Sequence, residues 1–163
     1  MIDSSATVVR AAVEMVATTP LAWTWDVLTP IDPARFYPRF GPIPATVGVR
    51  EQSGPWDVVG QTRRLLLSDG GHVIETITDV ERDSYFAYEL TDFQKLFKRL
   101  VDHARSEWHF VAHEDGTLVH WSYEFTPRPR WGWLVDLIVR LWWEPYMRAV
   151  LPEIVHEAER LAP

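Results

Sequence analysis

The sequence predicts an α+β fold in which a curved antiparallel sheet of about seven strands wraps around one long C-terminal helix. Three patterns indicate it: a β-branched segment near the start, a series of alternating segments separated by glycine-containing turns, and an apolar stripe with helical spacing from about Trp133 onward. The sheet has to curve, because only then are the apolar surfaces of both the sheet and the helix covered.

The composition is that of one globular domain, which we place at residues 1–163. The chain is 47% hydrophobic and 13% aromatic, and it carries a formal net charge of −7. This sign argues against a nucleic-acid partner, since such an interface needs Lys and Arg to neutralise phosphates. The absence of cysteine excludes thiol nucleophiles, zinc ribbons and iron–sulfur clusters.

Neither a leader nor a membrane span is expected. Asp3 stands where a signal peptide needs basic residues, and the most apolar segment, 131–143, is interrupted by charged side chains. We therefore predict a cytoplasmic protein without integral membrane contact. Tryptophans near the start of the long helix could anchor it at a lipid surface, but the negative net charge disfavours this, and we expect Trp131 and Trp133 to pack against the sheet.

The first strand is expected at residues 7–18, and two short helices follow it directly. Thr19 with Pro20, and Asp32 with Pro33, each combine an N-cap residue with proline at the first helical position. A further amphipathic helix is predicted over 93–104, with Lys95, Lys98 and Arg99 forming a solvated face; the pattern does not decide whether this helix is a lid over a cavity.

Two turns set the register of the predicted hairpins. The pair Asp115-Gly116 fits a two-residue type I′ turn, which would place Phe110 opposite Trp121 and Trp108 opposite Tyr123. Every apolar partner then lies on one face of the sheet. The pair Asp69-Gly70 would in the same way place Arg64 opposite Glu75.

The C-terminal helix is expected to begin near Trp133. Its stripe recurs at three and four residues, and opposite charges at i, i+4 follow another face. Pro145 should interrupt the helix because it lacks a backbone donor, and Pro152 should either bend it again or begin a final segment.

The order of these elements and several short motifs resemble the START-related SRPBCC superfamily, in its polyketide cyclase/dehydrase and lipid-transport branch. The motifs are Ser53-Gly54-Pro55-Trp56-Asp57, Gly60-Gln61-Thr62-Arg63, Ser68-Asp69-Gly70-Gly71 with Glu75, the pair Phe86 and Tyr88, Glu107-Trp108, Gly116-Thr117 and Trp121-Ser122-Tyr123. The resemblance covers nearly the whole chain. It implies a helix-grip fold with a cavity for an apolar ligand between sheet and helix.

From the predicted faces we expect a binding site for a small hydrophobic molecule, ring-containing or lipid-like. Its walls would be Phe86, Tyr88, Phe110, Trp121 and Tyr123 from the sheet, with Trp142, Trp143, Met147 and Val150 from the helix. Large aromatic residues at alternating positions are equally compatible with a filled core.

An enzyme is the first alternative, in which the same cavity would fold a polyketide-like chain for cyclisation or dehydration. Glu75 would move a proton and Tyr88 or Tyr123 would donate to a carbonyl, if Glu75 faces the interior rather than solvent. Two or more polar groups meeting in one pocket would favour the enzyme, an apolar pocket a carrier, and a filled interior neither. A protein- or membrane-surface interaction module is the second alternative.

No cofactor is predicted. The six histidines show no metal-binding spacing, and the chain contains no GxSxG, GxGxxG or P-loop motif in a suitable context. The identity of the ligand and the oligomeric state are left open by the sequence.

Overall fold

A computed structural model describes residues 7–163; Asp3 lies outside this range. One seven-stranded antiparallel sheet has the strand order β1-β7-β6-β5-β4-β3-β2. The strands are β1 Val9–Ala17, β2 Thr46–Arg50, β3 Thr62–Leu67, β4 His72–Glu81, β5 Tyr85–Thr91, β6 Val101–His113 and β7 Gly116–Pro127. The helices are α1 Leu21–Leu28, α2 Pro33–Phe36, α3 Lys95–Leu100, α4 Gly132–Ile138 and α5 Glu144–Leu161, with a π-helical segment Val139–Trp143 joining α4 to α5. The predicted α+β helix-grip architecture is confirmed.

Of the two predicted N-caps after β1, that of the second short helix is confirmed and that of the first is wrong. Asp32 caps α2, because its side chain accepts a hydrogen bond from the backbone N–H of Ala34 at 2.9 Å. The N-cap of α1 is Pro20 rather than Thr19. The Thr19 hydroxyl instead pairs with the Thr24 hydroxyl at 2.7 Å inside the core, so it is not available for capping.

The β6–β7 hairpin forms where expected, but its register differs by two residues. Trp108 lies opposite Trp121, and Phe110 lies opposite Val119. The turn residues are Glu114 and Asp115, and the positive φ that a glycine supplies falls instead at Gly116, the first residue of β7. Here β1 passes so close that a Cβ would lie 2.1 Å from the Ala17 carbonyl oxygen. A two-residue shift keeps every side chain on its predicted face.

The β3–β4 hairpin differs by one residue. Its loop contains three residues, Ser68 to Gly70, closed by a hydrogen bond from the Leu67 N–H to the Gly71 carbonyl oxygen at 3.0 Å. Gly70 has a φ of +84°, as the last position of such a loop requires. Arg63, not Arg64, therefore lies opposite Glu75.

The predicted helix over 93–104 is wrong in its second half. α3 ends at Leu100, and Val101 and Ala104 belong to β6, where Val101 pairs with Pro127 and Ala104 with Phe125. Extended pairing with β7 satisfies the backbone polar groups of this segment, which overrides its helical periodicity.

The C-terminal helix is continuous from Gly132 to Leu161 apart from its π-helical segment. That irregularity lies directly before Pro145, and the Glu144 N–H bonds to the Val139 carbonyl oxygen, five residues back. The i, i+4 charge pattern is confirmed by the ion pairs of Arg140 with Asp136 and of Arg148 with Glu144. Pro152 lies inside α5 without ending it.

Candidate ligand cavity

A cavity of about 80 Å³ lies between the sheet and the π-helical segment. Its lining is almost wholly apolar. The lining residues are Tyr37, Ile43, Pro44, Thr46, Leu65, Leu67, Val73, Glu75, Leu90, Phe93, Phe97, Tyr123, Phe125, Trp143 and Tyr146. The space can hold several water molecules or a small ring. Phe97 of α3 forms one side of this cavity.

Three of the sequence-predicted residues line this cavity: Glu75, Tyr123 and Trp143. Phe86 and Tyr88 line instead a neighbouring space of about 10 Å³, which fits about one water molecule. Tyr37 lines both spaces and stands between them.

The remaining predicted wall residues lie outside both spaces. Phe110, Trp121, Met147 and Val150 are buried in the packed core. Trp142 turns against the loop before β2, where a Cβ on Gly41 would lie 2.4 Å from the indole. The filled-core interpretation therefore holds for one end of the sheet and the cavity interpretation for the other.

Glu75 faces the interior, as its candidate role required, and is 2% exposed. One carboxylate oxygen accepts a hydrogen bond from Arg63 Nε at 2.6 Å, and both side chains are buried. The Arg63 guanidinium also lies 4.0 Å from the centre of the Trp56 ring and donates to the Ile31 carbonyl oxygen at 3.3 Å. This buried pair fixes the position of the carboxylate at the cavity wall.

The phenols at this end of the molecule stay protonated well into the alkaline range. Burial raises the pKa of Tyr123 and of Tyr37 well above the usual value of 10, and the nearby Tyr88 phenol and Glu75 carboxylate raise both further. Burial also raises the pKa of Tyr146. These hydroxyls can therefore act as hydrogen-bond donors inside an apolar cavity.

Trp143 enters the cavity wall from the π-helical segment. Its ring is held by edge contacts with Tyr123, Phe125 and Tyr146, at centroid distances of 4.9, 5.2 and 5.5 Å. Its indole N–H is buried, and among the described residues it has no hydrogen-bond partner. A buried donor without a partner costs free energy, and an acceptor atom on a ligand could satisfy it.

Most of the residues that line the cavity were not predicted from the sequence, for two reasons. Tyr37 and Ile43 belong to the segment between α2 and β2, which has no periodicity that could place them. Tyr146 follows the π-helical segment, which adds a residue and changes the phase of the helix faces. The signal that was available lay in β3 to β5, where Leu65, Val73, Glu75 and Leu90 follow the strand alternation and are all buried in the structure.

Among the described residues, no side chain that lines the cavity belongs to a group with metal-ligand spacing. Among residues 7–163, the group with metal-ligand spacing is His113, Glu114 and Asp115, which lies exposed at the β6–β7 turn. Its His113 Nδ1 already accepts a hydrogen bond from the Asp115 N–H. Within the same range, the helices lack the combination of length and apolar character needed to cross a membrane.

The long helix gripped by a curved sheet, with an apolar cavity between them, defines the class of helix-grip proteins. The chain belongs to the polyketide cyclase/dehydrase and lipid transport family of the SRPBCC superfamily, whose model matches residues 7–159. The resemblance inferred from the sequence is therefore confirmed. No curated protein sequence matches the chain.

Several solved structures share the fold at low sequence identity. An aromatase/cyclase, Zhui, from a Streptomyces species has a TM-score of 0.68 at 17% identity, covering 94% of this chain and 95% of that one. The major latex-like protein 151 of Panax ginseng has a TM-score of 0.65 at 11% identity, covering 93% and 97%. The protein XoxI of Bacillus cereus has a TM-score of 0.65 at 15% identity, covering 94% and 97%.

Proposed function

We propose that this protein binds a small hydrophobic, ring-containing molecule in the cavity beneath the π-helical segment. The observation that carries the proposal is an apolar cavity lined by three tyrosines and by Trp143, whose buried indole N–H has no hydrogen-bond partner among the described residues. Apolar walls supply affinity, while a few placed polar groups fix the orientation of a ligand. A cytoplasmic location for this activity stays a prediction from the sequence.

The donors define the chemistry of the ligand further. The Trp143 indole and the Tyr123 and Tyr37 phenols present N–H and O–H groups to a ligand that carries acceptor oxygens. A ketone, quinone or phenolic ring system satisfies these groups without needing a cation in the site. A plain hydrocarbon would leave the indole donor without a partner, and so would bind less tightly.

Native mass spectrometry of the purified protein, followed by extraction, tests the proposal first. A single defined adduct with an apolar ring system would support it. The fluorescent probe 1-anilinonaphthalene-8-sulfonate provides a second assay, because it combines fused rings with acceptor oxygens. We expect one site per chain, and a filled interior that binds no probe would contradict the proposal.

A matched pair of substitutions on β4 localises the site. Val73 lines the cavity, whereas Ile74, its neighbour on the same strand, faces the other side of the sheet. Val73→Phe should fill the cavity and weaken probe binding by about tenfold or more, a loss of about 1.4 kcal/mol. Ile74→Phe should leave binding unchanged. Equal effects of the two variants would place the bound probe outside the cavity.

Catalysis is the second candidate, and the meeting of Glu75 with three phenols in one cavity is the observation that favours it. In an aldol cyclisation, Glu75 would take a proton from the carbon beside a ketone. The resulting enolate carbon would bond to a second carbonyl carbon, and Tyr123 would donate a hydrogen bond to the oxygen that gains charge. The proton returned to that oxygen completes the step.

Exchange of the proton beside a ketone tests this candidate without knowledge of the substrate. The probe is 2-acetylnaphthalene deuterated at its methyl group, and loss of deuterium to water is followed by NMR. We expect exchange faster than in buffer, reduced about 100-fold in Glu75→Gln. Exchange at the buffer rate with the probe bound would reject this catalytic role for Glu75.

A further inference from the structure

The outer face of the C-terminal helix changes character along its length. On α5, the exposed positions include the charged residues Arg148, Glu153 and Arg160. On α4 and the π-helical segment, the exposed positions include Trp133, Leu137 and Leu141, spaced by four residues over about 12 Å of helix. Trp133 is 67% exposed and Trp131 is also exposed, so the expectation that these two side chains pack against the sheet is wrong.

This apolar stripe continues onto neighbouring elements. Trp131 is 41% exposed at the start of α4, and Leu96 is exposed on α3. The two helices contact each other, and Arg128, in the loop between β7 and α4, holds this loop against α3. Its backbone N–H donates to the Leu100 carbonyl oxygen at 2.8 Å and its Nε to the Lys98 carbonyl oxygen at 2.6 Å. Several exposed apolar side chains on adjoining elements are typical of an interaction surface, unlike single exposed residues.

Unpaired cations lie next to the stripe. Lys95, Lys98 and Arg99 are exposed on α3, and Arg130 is exposed beside Trp131. None of these four takes part in an ion pair within residues 7–163. Asp136 of α4 and Glu144, the first residue of α5, are both paired with arginines. The local charge is therefore positive although the net charge of the chain is −7.

We propose that this apolar–basic patch, formed by Leu96, Trp131, Trp133, Leu137 and Leu141 with Lys95, Lys98, Arg99 and Arg130, docks reversibly on an anionic lipid surface. Tryptophan and leucine side chains enter the boundary between headgroups and acyl chains, while the cations bind the acidic headgroups. A second copy of this chain fits less well, because a symmetric contact would bring the two groups of cations together.

Two of the elements that carry the patch, α3 and the π-helical segment, also border the candidate ligand cavity. Phe97 of α3 and Trp143 of the π-helical segment line the cavity from the inside of the same two elements that carry the patch on their outside. Docking would therefore face the α3–α4 seam toward the lipid, where an apolar ligand is dissolved. The link between docking and an apolar ligand rests on the proposed function, whereas the docking of the patch on lipid does not.

Flotation with vesicles tests the inference on the full-length protein. We use phosphatidylcholine vesicles with and without phosphatidylserine. We expect binding to the vesicles with phosphatidylserine, weakened by salt. Lys98→Gln with Arg99→Gln should weaken it by about 25-fold at low salt, because each cation near an anionic surface contributes about a fivefold factor. No binding to either vesicle would overturn the inference.

A matched pair of double variants separates the patch from general surface hydrophobicity. Leu137→Ala with Leu141→Ala should reduce vesicle binding by about tenfold. Val58→Ala with Val59→Ala, at two exposed valines in the loop between β2 and β3, should leave it unchanged. Equal losses, or a concentration-dependent dimer that the leucine variant abolishes, would assign the face to another role and overturn the docking.

The two proposals fail in different ways. A protein that binds vesicles but no anilinonaphthalene probe would reject the ligand cavity and keep the docking surface. A protein that binds the probe but no vesicles would reject the docking surface and keep the ligand cavity. Val73→Phe, which fills the cavity, should still bind vesicles as the unchanged chain does.

Discussion

The inner surface of the sheet is filled at one end and hollow at the other, and β6 runs through both. At the filled end its inward side chains are Trp108 and Phe110; toward the hollow end they are Ser106 and Ala104. Trp108 stacks on Trp121 with ring centroids 4.8 Å apart.

The covering elements differ in the same way. Trp25 of α1 packs edge-on against Phe110 at 5.1 Å, and α5 covers the filled end with the fully buried Met147. The hollow end is covered by the segment between α2 and β2 and by the π-helical segment. The cavity thus lies where irregular segments, rather than α1 and the regular part of α5, cover the sheet, and their side chains leave part of the space between the layers unfilled.

Removing a large side chain should cost most at the filled end. Trp121 is fully buried, and its Nε1 donates to Ser106 Oγ at 3.0 Å, so Trp121→Ala should lower the free energy of unfolding by about 3–5 kcal/mol. Phe93→Ala, at the partly exposed edge of the cavity, should cost about 1 kcal/mol. Urea denaturation measures both, and equal costs would mean that the two ends are packed alike.

The Arg63–Glu75 pair should be the most costly polar feature of the hollow end. Glu75→Ala leaves a buried guanidinium without its partner and should cost about 3 kcal/mol. Replacing both residues, with Arg63→Met and Glu75→Leu, should recover most of that loss. If the double variant is no more stable than the single one, the pair is not the reason that Glu75 is needed for stability.

Alkaline pH should destabilise the protein through its buried phenols. Burial raises the pKa of Tyr123 above 10, while the unfolded phenol ionises near 10. Stability is therefore complete below pH 10 and falls as the pH rises above it, by up to about 1.4 kcal/mol per pH unit for each such phenol. Tyr123→Phe should reduce the slope of unfolding free energy against pH. Tyr85→Phe, on the outer face, should reduce it less.

The smallest effect is expected from removing one donor at the hollow end. Trp143→Phe keeps an aromatic ring but deletes the unpartnered N–H. The free energy of unfolding should change by less than about 1 kcal/mol, since no hydrogen bond within the described residues is lost. Affinity for the anilinonaphthalene probe should fall about fivefold. Unchanged affinity, measured by fluorescence titration, would remove the indole from the candidate site.

Local rules predicted much of the sheet but not where its cavity lies. The alternation in β5, β6 and β7 placed Phe86, Phe110 and Trp121 on the inner face, and all are buried there. Burial follows from the side-chain period of a strand, which the sequence displays directly. Whether a buried ring borders a cavity depends on what lies across from it, and that partner is distant in sequence.

The strand registers show the same difference between what the local sequence predicts and what distant contacts decide. Both hairpins form at the predicted places in the chain, yet both pairings differ from the predicted ones: the first loop has three residues, and the two-residue turn of the second is Glu114-Asp115 rather than Asp115-Gly116. In the second hairpin, the Ala17 carbonyl oxygen lies so close to residue 116 that a side chain would clash there, and Gly116 is part of β7 rather than of the turn. A contact with a third strand is not encoded in the turn itself, so local reasoning identified the face of each residue and missed its partner.

The sequence by itself determined the family, the order of elements, the inward faces of the strands and the helical nature of the C-terminus, because these depend on periodicity and short motifs. Tertiary structure alone decided that Arg63 holds Glu75, that Tyr37 and Tyr146 join the cavity wall, and that Trp133 stays exposed. These outcomes arise from side chains that meet across the fold, where one strand register and one π-helical segment decide which groups come together.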